Sequence, residues 1–434
     1  MSTCSTSNGT DLCPENSLKS SDEDARQLEL LLASRREGWT LPQPFFNDPE
    51  IYRADLHRIW RKGWLFAGHT CEIRRAGEYF LVEIDVDSII VVRGDDGLIH
   101  GLHNVCRHRG SLICDEPCGQ VSKLVCPYHQ WAYHLDGRLF AWRGMQSDLN
   151  KADFALRTVA VREVEGLIFI NLDPNPIPFD AAQDCLSALL RPQGLGRAKV
   201  AKAVDYLVKA NWKVIWENNR ECFHCNANHP QYIRANFDHY NADDTTPRVR
   251  EDLAAMVRRS EAKWASEGLA TTHRDPGMTQ FPDAARGVWF SANRTPLVDG
   301  WVSETMTGKQ VAPLMGDYRG ADVGTVRVRT LPNFWNHSSC DHGVSTRLLP
   351  AGPQLTHVRV WWLVDERAIE GKDYQLAELM PFWQLTSEQD WVICERQQKG
   401  INSSAYEPGP YSTFKEYNVE GFVRWYLQLL AKSI

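Results

Sequence analysis

Two short stretches hold side chains whose types and spacing could bind metal. In the first, Cys106-x-His108 is followed, after seventeen residues, by Cys126-x2-His129. Mixed Cys/His pairs are a common zinc pattern, although zinc pairs usually set like ligands roughly two to four residues apart. Here each pair is one Cys and one His. A two-iron, two-sulfide cluster could therefore take both thiolates on one iron and both imidazoles on the other. Gly110, Gly119 and Pro127 suit loops whose backbone N–H groups turn inward on the sulfides. Cys114 and Cys118 lie between the pairs but do not fit the spacing, so they read as packed or exposed bystanders.

The second stretch is NWKVIWENNRECFHCNANHP, Asn211–Pro230. On a helix, Glu217, Glu221 and His224 share one face, at offsets of four and three. His229 falls off that face, and Pro230 suits a chain leaving the helix. Two imidazoles and one distant carboxylate would make the facial triad of an Fe(II) oxygenase, with coordination positions left open for dioxygen. The bland reading is a solvated helix end with ordinary histidines. Cys222-x-x-Cys225 offers another, a redox dithiol, but without the strand–turn–helix setting of such motifs.

The elements that must position these groups divide the chain in two. Residues 1–21 are polar and lack apolar periodicity, which predicts a disordered tail. Helical patterns follow over about 22–36 and 48–61, so residues 22–63 read as helices packing on the body. From Trp64 the period changes to strands, including Tyr79–Ile84, Ser88–Arg93 and Leu167–Leu172, predicting an all-β unit over 64–172. Residues 173–434 mix strands (202–208, 325–331, 345–349, 357–364) with helices near 210–225, 250–266, 374–398 and 418–431. That predicts an α+β unit with an antiparallel sheet.

Composition removes several function classes. A net charge of −7 over 434 residues argues against a nucleic-acid partner, which needs a concentrated basic face. No apolar run is long enough for a membrane helix. The first residues lack the charged and apolar regions of a secretory signal. The expected address is cytoplasmic, where the twelve cysteines should be mostly reduced and some free to bind metal. Sixteen tryptophans fit either a well-packed core or an aromatic-lined pocket.

Together the two stretches resemble the Rieske non-haem iron oxygenases. The likeness covers roughly residues 40–230 and 300–434, with PQPFFNDPEIY, HNVCRHRGSLIC, KLVCPYHQWAY, GINSSAYEPGPYS and FVRWY among the shared pieces. It implies a Rieske [2Fe–2S] domain, with the cluster on Cys106, His108, Cys126 and His129, and a helix-grip-like catalytic domain. The family pattern of an acid, two residues, His, four residues, His falls on Glu221, His224 and His229. The family's third iron ligand, an Asp on a late helix, falls on Asp390 in TSEQDWVICERQQKGI, with Glu388 and Glu395 as nearby rivals. Glu221 then corresponds to the acid that bridges to a cluster histidine of a neighbouring subunit, which implies a homotrimer. Glu at this point, rather than Asp, is characteristic of the branch acting on quaternary ammonium compounds.

The resemblance further implies a mononuclear Fe(II), a flavin/[2Fe–2S] reductase that passes on electrons from NAD(P)H, and dioxygen. The implied reaction is hydroxylation of an N-methyl group of a small cationic substrate of glycine betaine or proline betaine (stachydrine) type, followed by loss of formaldehyde. Carnitine- or choline-type and aromatic-ring oxygenation, and a simple Rieske electron carrier, are the alternatives. A methylammonium cation should be met by aromatic faces. The candidates are Trp289, Phe290, Trp301, Phe334 and Trp335, each equally able to be core. Arg294, Asn336 and His337 are candidate donors to a carboxylate. The chain departs from the pattern over 231–300, at Glu304 and at Phe223, so the individual substrate stays open.

Overall fold

The computed structural model describes residues 21–236, 246–271 and 287–431; the expected tail over 1–21 lies almost wholly outside them. Helix α1 (Ser21–Ala33) and helix α2 (Pro49–Asp55) precede the first sheet. Asp48 starts α2 by accepting the Glu50 N–H at 2.7 Å, with Pro49 at the first helical position, where its missing donor costs nothing. The chain then passes through a π-turn at Leu56–Trp60, which buries Leu56, Ile59 and Trp60.

Ten strands follow: β1 (Leu65–His69), β2 (Glu78–Ile84), β3 (Asp87–Arg93), β4 (Ile99–His103), β5 (Cys118–Gln120), β6 (Leu124–Val125), β7 (Ala132–Tyr133), β8 (Leu139–Ala141), β9 (Thr158–Val164) and β10 (Leu167–Asn171). Seven of them form an antiparallel sheet in the order β1-β10-β9-β4-β3-β2-β5, and β6-β7-β8 form a small second one. Glu165 and Gly166, both at positive φ, supply the two-residue turn that joins β9 to β10 with the twist such hairpins need.

The second half is built on a six-stranded antiparallel sheet, in the order β11-β16-β15-β14-β13-β12. Its strands are β11 (Ala198–Val208), β12 (Phe290–Thr295), β13 (Thr325–Thr330), β14 (Phe334–Ser338), β15 (Gly343–Gly352) and β16 (Leu355–Asp365). Helix α3 (Asp180–Leu190) and the aromatic residues Phe66 and Phe169 cover one face. Helices α4 (Trp212–Asn219), α6 (Pro381–Ile401) and α7 (Tyr417–Ala431) cover the other; α5 (Pro247–Ser266) lies between β11 and β12 in sequence. The fold is thus α+β, with a buried core on each face of this sheet. Asn333 ties the two sheets together, its side chain pairing with both the N–H and the C=O of Phe66.

The expected helix over 210–225 is shorter than its periodicity suggests. It ends at Asn219, and Glu221 lies beyond it. The Glu221 carboxylate accepts the backbone N–H groups of Phe223 and His224, a local bond that competes with helix continuation. Glu217, expected on the same face as Glu221, is instead buried inside α4. Strands β12 and β14 had no sequence signal, because both of their faces are buried (patterns BBBiBB and BBBBB) and the period-two alternation disappears. Cys222 and Cys225 are joined as a disulfide, while the other eight described cysteines are free. Among the described residues the cysteines are thus mostly free, as expected; the exception is this pair, where the turn brings the two Cα atoms within 5.0 Å.

Candidate metal centres

The first four candidate ligands sit on two loops, one between β4 and β5 and one between β6 and β7. The loops repeat one hydrogen-bond pattern. Cys106 N–H donates to Ser111 C=O and Gly110 N–H to Cys106 C=O; Cys126 N–H donates to Trp131 C=O and Gln130 N–H to Cys126 C=O. The fourth residue after each cysteine takes a left-handed conformation, Gly110 at φ 81° and Gln130 at φ 59°. Both cysteines are buried, whereas His129 is exposed and His108 half-buried.

The rings of His108 and His129 lie 4.8 Å apart, and His108 stacks flat on Trp131. Tyr133 approaches the Cys106 sulfur at 3.3 Å through its hydroxyl. Sulfurs inside and imidazoles outside suit a cluster whose histidine-bound iron faces a partner. Cys114 is buried and Cys118 exposed, so both remain outside the loop tips.

The second site is built where α4 ends. His224 and His229 flank the turn Cys225–Asn228, and Asp390 reaches them from α6. Oδ1 of Asp390 lies 3.2 Å from His224 Nε2 and 3.0 Å from His229 Nε2. Donors about 2.1 Å from a common ion and at right angles stand about 3 Å from each other, so the two contacts that Asp390 makes have the length expected between ligands of one ion. Each imidazole is held by its other nitrogen: His224 Nδ1 by Glu221 Oε1 at 2.6 Å, and His229 Nδ1 by Gln389 Oε1 at 2.8 Å. With an ion bound, those bonds would hold the Nδ1 protons and leave each Nε2 lone pair for the metal.

Cys225 is also near, its sulfur 3.9 Å from His224 Nε2, and geometrically it could close a set with the two histidines. Its bond to Cys222 leaves no thiolate, so Asp390 is the better third donor. Burial works against charge on Asp390, yet the hydrogen bonds from His224 and His229 hold its carboxyl below the usual range. Burial also opposes charge on His224, but the carboxylates of Asp390 and Glu221 outweigh it and push its pKa up to about 10 without metal. The rivals point elsewhere: Glu388 meets Tyr206 and Gln384, and Glu395 accepts the Lys209 N–H. Gln389 and Asn218, whose amide lies 3.4 Å from His224 Nε2, were missed in the sequence. Gln389, adjacent to Asp390, was the more visible of the two.

Among the aromatic candidates, Phe290 and Phe334 lie on the sheet face turned away from this site, packed with Phe66, Phe169 and Leu186. They are core, not cage. Trp289 is buried against the Arg220 guanidinium at 4.6 Å, and Trp335 meets Trp216 edge-on. Trp301 is half-buried against the large core. Arg294 and Asn336 also fall on the far face: Arg294 donates to the carbonyls of Ala270 and Val323, and Asn336 bonds Ser338 and Ser345. His337, one residue out of phase with Asn336, faces α6, 4.1 Å from Trp383.

The Rieske [2Fe–2S] domain family matches residues 63–160, and the ring hydroxylating alpha subunit (catalytic domain) family matches residues 195–432. The chain belongs to the Rieske oxygenase alpha subunits. It is 42% identical, over 91% of its length and 87% of the relative's, to the glycine betaine monooxygenase oxygenase subunit of Chromohalobacter salexigens. A quaternary ammonium Rieske monooxygenase crystallised with an inhibitor superposes with a TM-score of 0.68 at 20% identity, covering 92% of this chain and 97% of the other. Naphthalene 1,2-dioxygenase from a Rhodococcus species gives 0.64 at 20%, covering 95% and 100%. That similarity to enzymes of different substrates speaks for the fold alone.

As a Rieske oxygenase the chain is an oxidoreductase carrying a [2Fe–2S] cluster and a mononuclear iron, and it works with a reductase that draws on NAD(P)H. No helix among the described residues is long and apolar enough to cross a membrane.

Proposed function

We propose that this oxygenase removes a methyl group from a betaine-type quaternary ammonium substrate. Cys106, His108, Cys126 and His129 hold the cluster; His224, His229 and Asp390 hold the mononuclear iron. The observation that carries the iron assignment is the convergence of two Nε2 atoms and one Oδ1 at 3.0 and 3.2 Å. The substrate class rests on the 42% identity, over nearly the whole length, to a glycine betaine monooxygenase subunit. Residues 64–172 and 173–434 serve as the cluster-binding and catalytic units, matching the division of the two sheets.

When bound, the cluster supplies single electrons and the mononuclear iron supplies dioxygen activation. The protein's part is to orient and to relay. Glu221 locks the His224 ring through Nδ1 and has lone pairs to spare for a second imidazole. The exposed His129 of a neighbouring subunit fits that role, and a ring of three chains would supply it to every site. One methyl group leaves as formaldehyde after C–H hydroxylation: substrate, O2, NAD(P)H and a proton give the demethylated amine, formaldehyde, water and NAD(P)+. A cytoplasmic address fits this dependence on a nicotinamide-linked reductase.

The test is formaldehyde release by the reconstituted oxygenase and reductase over glycine betaine, proline betaine, carnitine, choline and naphthalene. Release from a betaine, one formaldehyde per NAD(P)H oxidised, is expected. Oxidation of the aromatic ring without formaldehyde from any methylammonium compound would overturn the reading.

A further inference from the structure

A cavity of about 300 Å³ opens beside the first Cys/His loop, walled by Cys106 and His108 and by His103, Arg107, Arg109 and Arg157. Among the described residues, none from the second loop lines it. Local structure gathers these cations. The His103 N–H donates to the Arg157 C=O at 2.9 Å, which sets the start of β9 beside the end of β4. The Arg107 N–H donates to the Tyr133 hydroxyl at 3.1 Å, and Gly110 turns the chain back at φ 81°.

The lining holds three arginines and no carboxylate. Arg109 and Arg157 are exposed, and Arg107 is half-buried with its Nε lacking a hydrogen-bond partner. Arg109 lies 4.8 Å over the Tyr128 ring, but none of the three guanidinium groups meets a carboxylate or other acceptor among the described residues. Asp87, the acid that acts on His103, is engaged by Arg61 at 2.8 Å. In a chain of net charge −7, this is a local field of the opposite sign, and such fields steer oppositely charged partners. Val105, on the cavity wall, and Leu112, on the same loop, are exposed apolar side chains that a docked partner would cover.

We propose that the reductase docks on this hollow, seating carboxylate side chains of its own on Arg107, Arg109 and Arg157. The proposal rests on the cluster assignment above and adds the face through which electrons enter. Planar guanidinium groups take carboxylates in a two-bonded fork. Electron transfer weakens steeply with distance, so a donor must approach the cluster's own ligands, and Cys106 and His108 form one wall of the hollow. One electron passes at a time: the reductase is oxidised by one equivalent, the cluster is reduced by one, and no bond is made or broken. The exposed His129, the group assigned above to the Glu221 of a neighbouring subunit, lies on the other loop. Entry and exit thus use different loops.

Stopped-flow reduction of the purified holo-oxygenase tests this, with two donors compared. One is the reductase that supports turnover in the assay above, reduced with NAD(P)H; the other is reduced methyl viologen, a small cation with no use for a basic patch. Arg107→Glu combined with Arg157→Glu should slow reduction by the reductase roughly tenfold or more and remove the wild type's slowing by added salt. Reduction by viologen and the cluster's visible spectrum should not change. Arg107→Lys with Arg157→Lys should keep most of the rate, which separates lost charge from misfolding. A prereduced Glu variant, mixed with O2 and the substrate that the wild type turns over, should form product in one turnover as the wild type does. An unchanged rate with the reductase, equal slowing with viologen, or loss of that single turnover would overturn the proposal, the last by making the hollow a contact to the neighbouring subunit. A wild type without the cluster's visible band would overturn the cluster assignment as well.

Discussion

The two Cys/His loops gather all four proposed cluster donors from residues 106–129, on two copies of one hydrogen-bonded turn. The proposed iron site joins His229 to Asp390 across 161 residues, at the end of a helix that stops early. Local turns suffice to aim the first set, because each loop fixes its own ligands. The second set exists only once α6 has packed beside α4, so its geometry depends on the whole catalytic core. The two sites should therefore fail in different ways.

The largest difference is expected at the residue proposed to connect them. Glu221→Ala should leave the cluster reducible and visible while product formed per electron falls roughly 10- to 100-fold, the usual cost of losing a ligand's outer partner. Stopped-flow reduction beside product assay measures this; unchanged coupling would reduce Glu221 to a turn-former. At the cluster tip the effect is smaller and local. Gly110 sits at φ 81° with nothing within 4 Å of an added Cβ, so Gly110→Ala costs about 1 kcal/mol of backbone strain alone. Loss of the cluster's visible band on heating should shift down by a few degrees, whereas Gln130→Gly, at the matching position, should not lower it.

A third effect concerns the core behind the iron site. Burial, with Glu416 adding to it and Lys213 opposing, pushes Glu217 up to about 8 from 4.5. An acid whose folded pKa is raised stabilises fully below its unfolded value and loses that contribution as pH climbs through its folded one. Thermal midpoints of the wild type should therefore fall between about pH 4.5 and 8, and Glu217→Gln should flatten the slope. Parallel curves would show that the carboxyl is solvated after all.

Much of this was legible in the sequence where the signal is local. The paired Cys/His spacing and the acid-His-His order mark short loops, and a loop carries its chemistry in adjacent letters. Asp390 emerged only through family resemblance, because nothing near it in sequence marks a ligand. The pocket was legible least. Phe334 and Trp335 are neighbours in the chain but face opposite sides of β14, and a strand buried on both faces gives no alternation to choose between them. Arg327 went unnoticed for the same reason: in a list of letters it looks like a solvated strand residue, and only the structure shows it buried. Glu221 was placed on a helix but lies beyond its end, since its bond to the following N–H groups cannot be read from periodicity.

Iron and acid-labile sulfide content, measured together in the wild type and in His224→Ala, tests the existence of two separate centres most directly. The account predicts about three irons and two sulfides per chain for the wild type. In the variant iron should fall to about two with sulfide and the visible spectrum unchanged. A variant that keeps its third iron, or that loses iron and sulfide in step, would contradict it.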